Sequence, residues 1–143
     1  MSRPASRRLL TLLAGFLLAV TGLVVAPASP ALAASCYGSG CTGKDPQTQG
    51  CSPDGRTIDE FTDYGVRFEL RYSPACFAAW TRVTSPVHFN TLFGQIRTDG
   101  NTVYGVQATQ GQHWTKMINF AHLVRSCDAV WFDAPPTACT AYH

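Results

Sequence analysis

Histidines are the side chains most often used for acid–base catalysis and zinc binding, and the sequence contains four of them. They are scattered, at His88, His113, His122 and His143, and their spacing does not place two imidazoles on one face of a helix or strand. Motifs for a nucleophilic serine, a zinc protease, a phosphate loop and a dinucleotide site are also missing from the sequence. The residues therefore predict no catalytic group, no metal site and no cofactor.

Cysteines form the second group with possible chemistry. The six cysteines are Cys36, Cys41, Cys51, Cys76, Cys127 and Cys139. A metal site would be expected to contain Cys-x-x-Cys pairs, and the spacings here contain none. An even count in an exported chain predicts three disulfides and no free thiolate. Proximity along the chain favours pairing Cys36 with Cys41, Cys51 with Cys76, and Cys127 with Cys139, but other pairings stay open.

Carboxylates are concentrated before the first clear strand. They are Asp45, Asp54, Asp59, Glu60 and Asp63. Carboxylates and loop carbonyls could bind calcium together, although the EF-hand spacing is absent. Asp45 precedes Pro46 and Asp54 precedes Gly55, so both are typical turn residues whose side chains accept hydrogen bonds from local amides. The turn role is favoured, and Asp45 is kept as a candidate binding residue.

The segment 66–72, VRFELRY, alternates apolar and charged residues and predicts a strand with one packed face and one polar face. Arg67, Glu69 and Arg71 share the polar face. Such a face is ordinarily exposed to solvent, with ion pairs of modest strength. The alternative is a buried or groove-lining network, and in that case these three residues are the candidate binding residues, because arginine and glutamate make directed hydrogen bonds.

Aromatic residues offer a possible binding surface for sugars or peptides. The largest candidates are Trp80, Trp114 and Trp131 with Tyr37, Tyr104 and Tyr142. A small domain also needs aromatic area in its core, where each such residue buries about 150 to 250 Å². A core role is therefore favoured for most of them.

The first 33 residues have the layout of an export signal. Three arginines precede an uncharged apolar run at 9–25, and Ala31 and Ala33 occupy the positions that signal peptidase reads. We expect a signal-peptide helix, cleavage after Ala33 and a secreted mature protein. A retained membrane anchor, twin-arginine export and lipidation of Cys36 are the less favoured alternatives.

Removal of the signal changes the net charge from +2 to −1, because 8 basic residues remain against 9 acidic ones. A nearly neutral chain without a block of lysines or arginines lacks the electrostatic footprint of a nucleic-acid-binding protein. We therefore expect no nucleic acid partner, and no membrane association once the signal has been removed.

Residues 34–143 are enough for one hydrophobic core, so they are expected to form one domain. An irregular lead-in segment, 36–56, should be held by its disulfides. A second strand follows the turn at 73–74, although 76–80 could instead form a helical turn. Segments 87–98 and 102–108 flank Asp99-Gly100-Asn101 and predict a hairpin, and 113–120 and 124–132 are further apolar stretches. About five to seven short strands predict a small all-β sandwich or barrel.

Two runs of sequence, CYGSGCTGKDPQTQGCSPDGRT and ELRYSPACFAAWTRV, resemble the YjfA-type domain of unknown function of Gram-positive bacteria, especially actinomycetes. The matching residues are Cys36, Cys41, Gly43, Asp45, Pro46 and Cys51, then the segment 69–73 with Cys76 and Trp80, then 115–117 and the Cys127 to Cys139 stretch ending in Thr140 and Tyr142. The resemblance implies a secreted or membrane-anchored location. Members carry no assigned activity, and some place the domain behind a cytoplasmic helix-turn-helix, which implies sensing or binding.

Together these observations favour a non-catalytic binding module whose ligand lies outside the cell or in the cell envelope. Two alternatives stay open. One is a small secreted hydrolase or toxin, which should present a cleft where a histidine meets a carboxylate. The other is an enzyme inhibitor, in which a disulfide-tied loop such as 36–41 or 127–139 would protrude.

Overall fold

The strand predicted at 66–72 lies between two other strands of the larger sheet. The computed structural model describes residues 33–132 and 134–143. Within these residues, eight strands follow in the order β1 (Arg56–Asp63), β2 (Val66–Ser73), β3 (Ala78–Ser85), β4 (Phe93–Thr98), β5 (Val103–Gln107), β6 (Gly111–Trp114), β7 (Ile118–Asn119) and β8 (Val124–Ala129). A 3₁₀ turn at Gly38–Cys41 precedes them. The all-β prediction is confirmed, with one strand more than expected.

The strands form two antiparallel sheets. Sheet A contains β1, β2 and β3 side by side, and β6 and β7 pair with different parts of the outer edge of β3. Sheet B has the order β5-β4-β8, and its β4–β5 hairpin turns through Asp99-Gly100-Asn101 as predicted. The C-terminal segment returns along β8, through backbone hydrogen bonds between Val124 and His143.

The main core lies between the two sheets. Leu70 of β2 packs with Ile96 of β4 and Val124 of β8, and all three are fully buried. The sheets approach each other closely at Gly94, where a Cβ atom would overlap the side chain of Val83. Glycine is required there because the opposite sheet occupies the space that a side chain would need.

The lead-in segment packs against the other side of sheet A and forms a second core. We call this side, which faces away from sheet B, the outer face. Cys41, Cys51 and Cys76 cluster there with Trp80 and Met117. Gly55 lies directly on the indole of Trp80, since a Cβ at this glycine would be 2.6 Å from the ring. The lead-in segment has almost no apolar side chains of its own, so its disulfide cysteines and the indole of Trp80 hold it against the sheet.

The three disulfides are Cys36–Cys41, Cys51–Cys76 and Cys127–Cys139, which is the pairing that proximity favours. The Sγ atoms of the first four cysteines lie within 4.8 Å of one another, at a spacing that could suit a metal ion. Each of these sulfurs is already bonded to another sulfur, and no described cysteine is free. The oxidised protein therefore offers no cysteine thiolate, because thiolates are the form that attacks substrates or binds metals.

Several sequence-based boundaries differ from the structure. The sequence analysis did not predict β1. A bulge between Thr57 and Asp59 shifts the register of this strand, and its apolar residues Ile58 and Phe61 are three positions apart, which breaks the alternation that identifies a strand. The stretch 87–98 is strand only from Phe93, and 113–120 contributes to two short strands, β6 and β7. The segment after the 73–74 turn is a strand and not a helix, in agreement with its β-branched residues.

The predicted signal peptide lies outside the described residues apart from Ala33. In the described part of the chain, no helix has both the length and the apolar character needed to cross a membrane.

Loss of the Cys51–Cys76 bridge should destabilise the fold more than loss of Cys36–Cys41, because the two bridges span 25 and 5 residues. The restriction of the unfolded chain predicts losses of about 3.5 and about 2 kcal/mol in the free energy of unfolding. Denaturant melts of the two double cysteine-to-alanine variants measure both values. Equal losses, or the reverse order, would contradict the role assigned to the longer bridge.

Candidate functional site

The outer face of sheet A carries the polar residues that the sequence singled out. Directly opposite residues in an antiparallel sheet project to the same side, so the register places Arg67, Glu69 and Arg71 of β2 in one row. Arg82 of β3 lies opposite Glu69, and Trp80 lies opposite Arg71. β6 extends the face, with Trp114 opposite Arg82 and Gln112 opposite Thr84.

Glu69 is completely buried, so the interpretation of this row as a solvent-exposed face is wrong for its central residue. Its carboxylate accepts two hydrogen bonds from Arg82, at 2.6 Å from Nε and 2.7 Å from Nη2. Thr57 Oγ1 donates a third at 2.8 Å, and Arg67 Nη2 lies 3.3 Å from Oε1. The long side chains of the neighbouring strands cover Glu69, which alternation along one strand could not reveal.

Burial alone would raise the pKa of Glu69, but the hydrogen bonds from Arg82 and Thr57 and the charges of Arg82 and Arg67 outweigh it. The pKa of Glu69 therefore lies below its ordinary value of 4.5. The residue stays ionised at neutral pH and holds Arg82 in one orientation.

Arg71 has a different environment from the other two arginines of the face. Its Nη1 donates to Thr57 Oγ1 at 2.8 Å and its Nη2 donates to the Gly55 carbonyl. Its Nε is buried without a hydrogen-bond acceptor, and among the described residues it forms no ion pair. Burial, and then the nearby charge of Arg82, lower the pKa of Arg71. The guanidinium is held in place while its charge lacks a direct counter-charge.

Asp45 connects the lead-in segment to this face. Its Oδ1 accepts hydrogen bonds from the backbone N–H groups of Gln47, at 2.8 Å, and Thr48, at 3.0 Å, which confirms the turn role. Its Oδ2 accepts a further bond from Trp114 Nε1 at 2.8 Å. Asp45 thus fixes an indole of the outer face, and it is a positioning residue and not a residue lining the cleft described next.

A small cleft opens where the lead-in segment meets the outer face, and we call it the polar cleft. It has a volume of about 80 Å³. Its lining residues are Gln47, Ser52, Arg71, Trp80, Arg82, Gln112 and Trp114. Of the four candidate binding residues, only Arg71 lines it directly, whereas Glu69 and Asp45 orient lining residues. Arg67 lies outside it, half exposed beside Glu60.

The polar cleft contains donors and aromatic walls but no group that could act as a general base. None of its lining residues is a histidine or a carboxylate. His113 lies opposite Val83 of β3, a core residue, and its ring hydrogen-bonds Thr109 Oγ1 at 2.5 Å. The arrangement can bind and orient a polar group, and it lacks the paired nucleophile and base of acyl transfer.

A histidine does meet a carboxylate elsewhere, where His143 Nε2 lies 2.9 Å from Asp59 Oδ2. That hydrogen bond lowers the pKa of Asp59 more than any other contact. Both side chains are about one-third exposed, and neither lines the polar cleft. The two residues are far apart in the sequence, so the sequence analysis did not predict their contact. The contact attaches the C-terminal segment to β1.

The remaining carboxylates do not form the calcium cluster considered from the sequence. Asp54 accepts hydrogen bonds from Ser73 Oγ, at 2.5 Å, and from the Ala75 backbone, at 2.7 Å, so it binds the β2–β3 turn and not its own turn. Across the described residues, no three histidines or carboxylates lie close enough to share a metal ion. Asp63 lies beside the buried Asp128, whose pKa is raised by burial first and by Asp63 in addition.

A second, apolar cleft of about 280 Å³ lies at the edge where the sheets meet. Its lining residues are Tyr64, Phe89, Thr91, Leu92, Val130 and Thr137. The loop closed by Cys127–Cys139 contributes Val130 to this cleft, and its residues Val130, Trp131 and Phe132 are 46%, 58% and 51% exposed. The predicted core role is therefore wrong for Trp131, and also for Tyr37 and Tyr142, which are 67% and 41% exposed, but it holds for Trp80, which is only 3% exposed.

Glu69→Gln should lower the free energy of unfolding by about 2 to 3 kcal/mol at pH 7, because Arg82 would lose a charged partner inside the protein. The matched control is Glu60→Gln, which removes a half-exposed carboxylate and should cost less than about 1 kcal/mol.

The effect should also depend on pH. A carboxylate with a lowered folded-state pKa contributes stability above its unfolded value of 4.5, and that contribution is lost as the pH falls through the folded pKa. The difference in melting temperature between wild type and Glu69→Gln should stay constant near neutrality and shrink below pH 4.5. A difference that grows on acidification would contradict the ion-pair account.

Comparisons with known proteins place the chain in a family. Curated proteins and solved structures gave no match to the chain. A family model described as "Protein of unknown function (DUF2690)" matches residues 39–130, which include all eight described strands and every residue of the polar cleft. The match covers well over half of the sequence, and the chain therefore belongs to the DUF2690 family of proteins of unknown function.

Proposed function

We propose that the protein is a non-catalytic binding domain that works outside the cell or at the cell envelope, with the polar cleft as its ligand site. One observation supports this most directly. Two guanidinium groups and two indoles converge on one cleft, and each arginine is fixed by hydrogen bonds to the protein before any ligand arrives. Such preorganised donors reduce the entropic cost of binding.

The contents of the cleft favour binding over turnover. Arginine, glutamine and serine can donate hydrogen bonds, and tryptophan faces can stack on a ring or an apolar group. A volume of about 80 Å³ admits only one functional group of a larger ligand. The domain would therefore bind an end group or a side group of a larger molecule, and the rest of that molecule would extend into solvent.

An extracellular location is supported by the three disulfides and by the export signal predicted at 1–33. Secreted protein should begin at Ala34 and carry no thiol that reacts with an alkylating reagent before reduction. Intact mass spectrometry of culture supernatant measures both properties. A start near Met1, or an alkylated cysteine, would overturn the proposed export and oxidation.

The ligand site is tested by blocking the cleft. Gln112 is exposed on β6, so Gln112→Trp should fill the cleft without disturbing the core. Immobilised wild-type protein is incubated with envelope fractions of the producing cell, and the retained molecules are eluted and compared by mass. We expect Gln112→Trp to lose most of the retained material, while its melting temperature stays within a few degrees of wild type.

The matched control is Arg97→Gln, which removes a half-buried arginine from sheet B, away from the cleft. It should retain the same material as wild type. Unchanged capture by Gln112→Trp would exclude the polar cleft as the ligand site. Eluted molecules that become shorter or gain water during long incubation with wild type would overturn the non-catalytic assignment.

The inhibitor alternative is favoured by one specific observation. The loop closed by Cys127–Cys139 presents the consecutive apolar residues Val130, Trp131 and Phe132 to solvent. Exposed apolar groups on a constrained loop resemble the anchors of protein–protein interfaces. Trp131→Ser in the same experiment separates the two functions, because loss of capture by this variant and not by Gln112→Trp would assign binding to the loop.

A further inference from the structure

We infer that the group received by the polar cleft is a carboxylate of the ligand, with the guanidinium of Arg71 as its counter-charge. The inference rests on the proposed function, since it names the chemistry of the same site. It goes beyond it by defining what class of molecule the domain recognises.

Three arginines, Arg67, Arg71 and Arg82, lie on the outer face, but the buried carboxylate of Glu69 bonds only Arg82 and Arg67. Glu60 is bound to Arg67 and lies away from the cleft. The cleft wall thus contains one neutralised guanidinium and one guanidinium without a direct counter-charge.

Asp45 is an acidic residue beside the cleft, since it bonds Trp114 of the cleft wall. Asp45 could in principle neutralise Arg71, but its two oxygens already accept hydrogen bonds from two backbone N–H groups and from Trp114 Nε1. It forms no ion pair with Arg71 or Arg82 within the described residues. The carboxylate of Glu69 acts on Arg71 only at longer range, through their shared partner Thr57, so the described residues leave room for a direct counter-charge from a ligand.

A carboxylate is a planar monoanion that fits a cleft of about 80 Å³, and it matches a single uncompensated guanidinium. A phosphate monoester carries nearly two charges at neutral pH and would leave one of them unmatched. The Gln47 and Gln112 amides line the cleft and supply neutral polar groups around the anion.

Such a carboxylate could belong to a peptide or to an acidic sugar, and the two sources are distinguishable with small probes. Each probe is titrated at constant ionic strength into the oxidised protein. The acids are N-acetylglycine and glucuronate, their neutral partners are N-acetylglycinamide and glucose, and inorganic phosphate is the competing anion. The readout is the set of indole N–H resonances, because Trp80 and Trp114 line the cleft and Trp131 lies on a distant loop as an internal control.

We expect saturable shifts of the Trp80 and Trp114 resonances with at least one acid, and none with its neutral partner. Whichever acid binds more tightly identifies the source of the carboxylate. Arg71→Gln should weaken binding about tenfold or more, because a charge-assisted contact is lost, whereas Arg97→Gln, on sheet B and away from the cleft, should change it less than about twofold. Arg71→Lys, which keeps the charge, should restore part of the affinity.

Three outcomes would overturn the inference: equal binding of an acid and its neutral partner, equal binding of phosphate, or full binding by a folded Arg71→Gln. These outcomes are separable from failure of the proposed function. If Gln112→Trp abolishes capture of envelope material but no carboxylate binds, the cleft is the ligand site and its ligand is not anionic. If carboxylates bind but blocking the cleft leaves capture intact, the chemistry stands and the proposed ligand site does not.

Discussion

The buried carboxylate of Glu69 organises the outer half of this protein. It bonds Thr57 of β1 and Arg82 of β3 from its own position on β2, so one charged group connects three adjacent strands. A buried ion is costly unless its charge and lone pairs are satisfied, and here three hydrogen bonds and two arginines satisfy them. The same contacts leave Arg82 and Thr57 in fixed positions, and Thr57 in turn accepts a hydrogen bond from Arg71. The hydrogen bonds that satisfy Glu69 therefore fix the geometry of the polar cleft.

The sequence predicted the strand that carries Glu69 but not its burial. Alternation along 66–72 identifies two faces, and a single strand gives no information about which side chains will cover the polar one. The covering groups come from β1 and β3, and β1 was itself hidden by its bulge. The disulfide pairing and the β4–β5 hairpin were predictable because both depend on residues close together in the sequence. The contact of Asp59 with His143 joins residues that are far apart in the sequence, and no local sequence pattern predicts it.

The site also depends on the lead-in segment, which is irregular apart from its 3₁₀ turn. Cys51–Cys76 and the contact of Gly55 with Trp80 hold the lead-in segment against the sheet, and Gln47 and Ser52 of this segment form one wall of the cleft. Disulfides compensate for the missing apolar side chains by restricting the unfolded chain. They also explain why Asp45, a turn residue by sequence, reaches an indole 69 residues further along.

Arg71 is a part of this arrangement that stability does not explain. Burying an N–H group without an acceptor costs about 1 to 3 kcal/mol, and a guanidinium without a counter-charge adds to that cost. A neutral residue such as glutamine could satisfy Thr57 and Gly55 at this position without introducing the charge. Local energetic conflicts of this kind concentrate at functional sites, where an incoming ligand offsets them. The charge of Arg71, which lines one cleft with two indoles and with an arginine that is already neutralised, is the feature that the proposed binding role would explain.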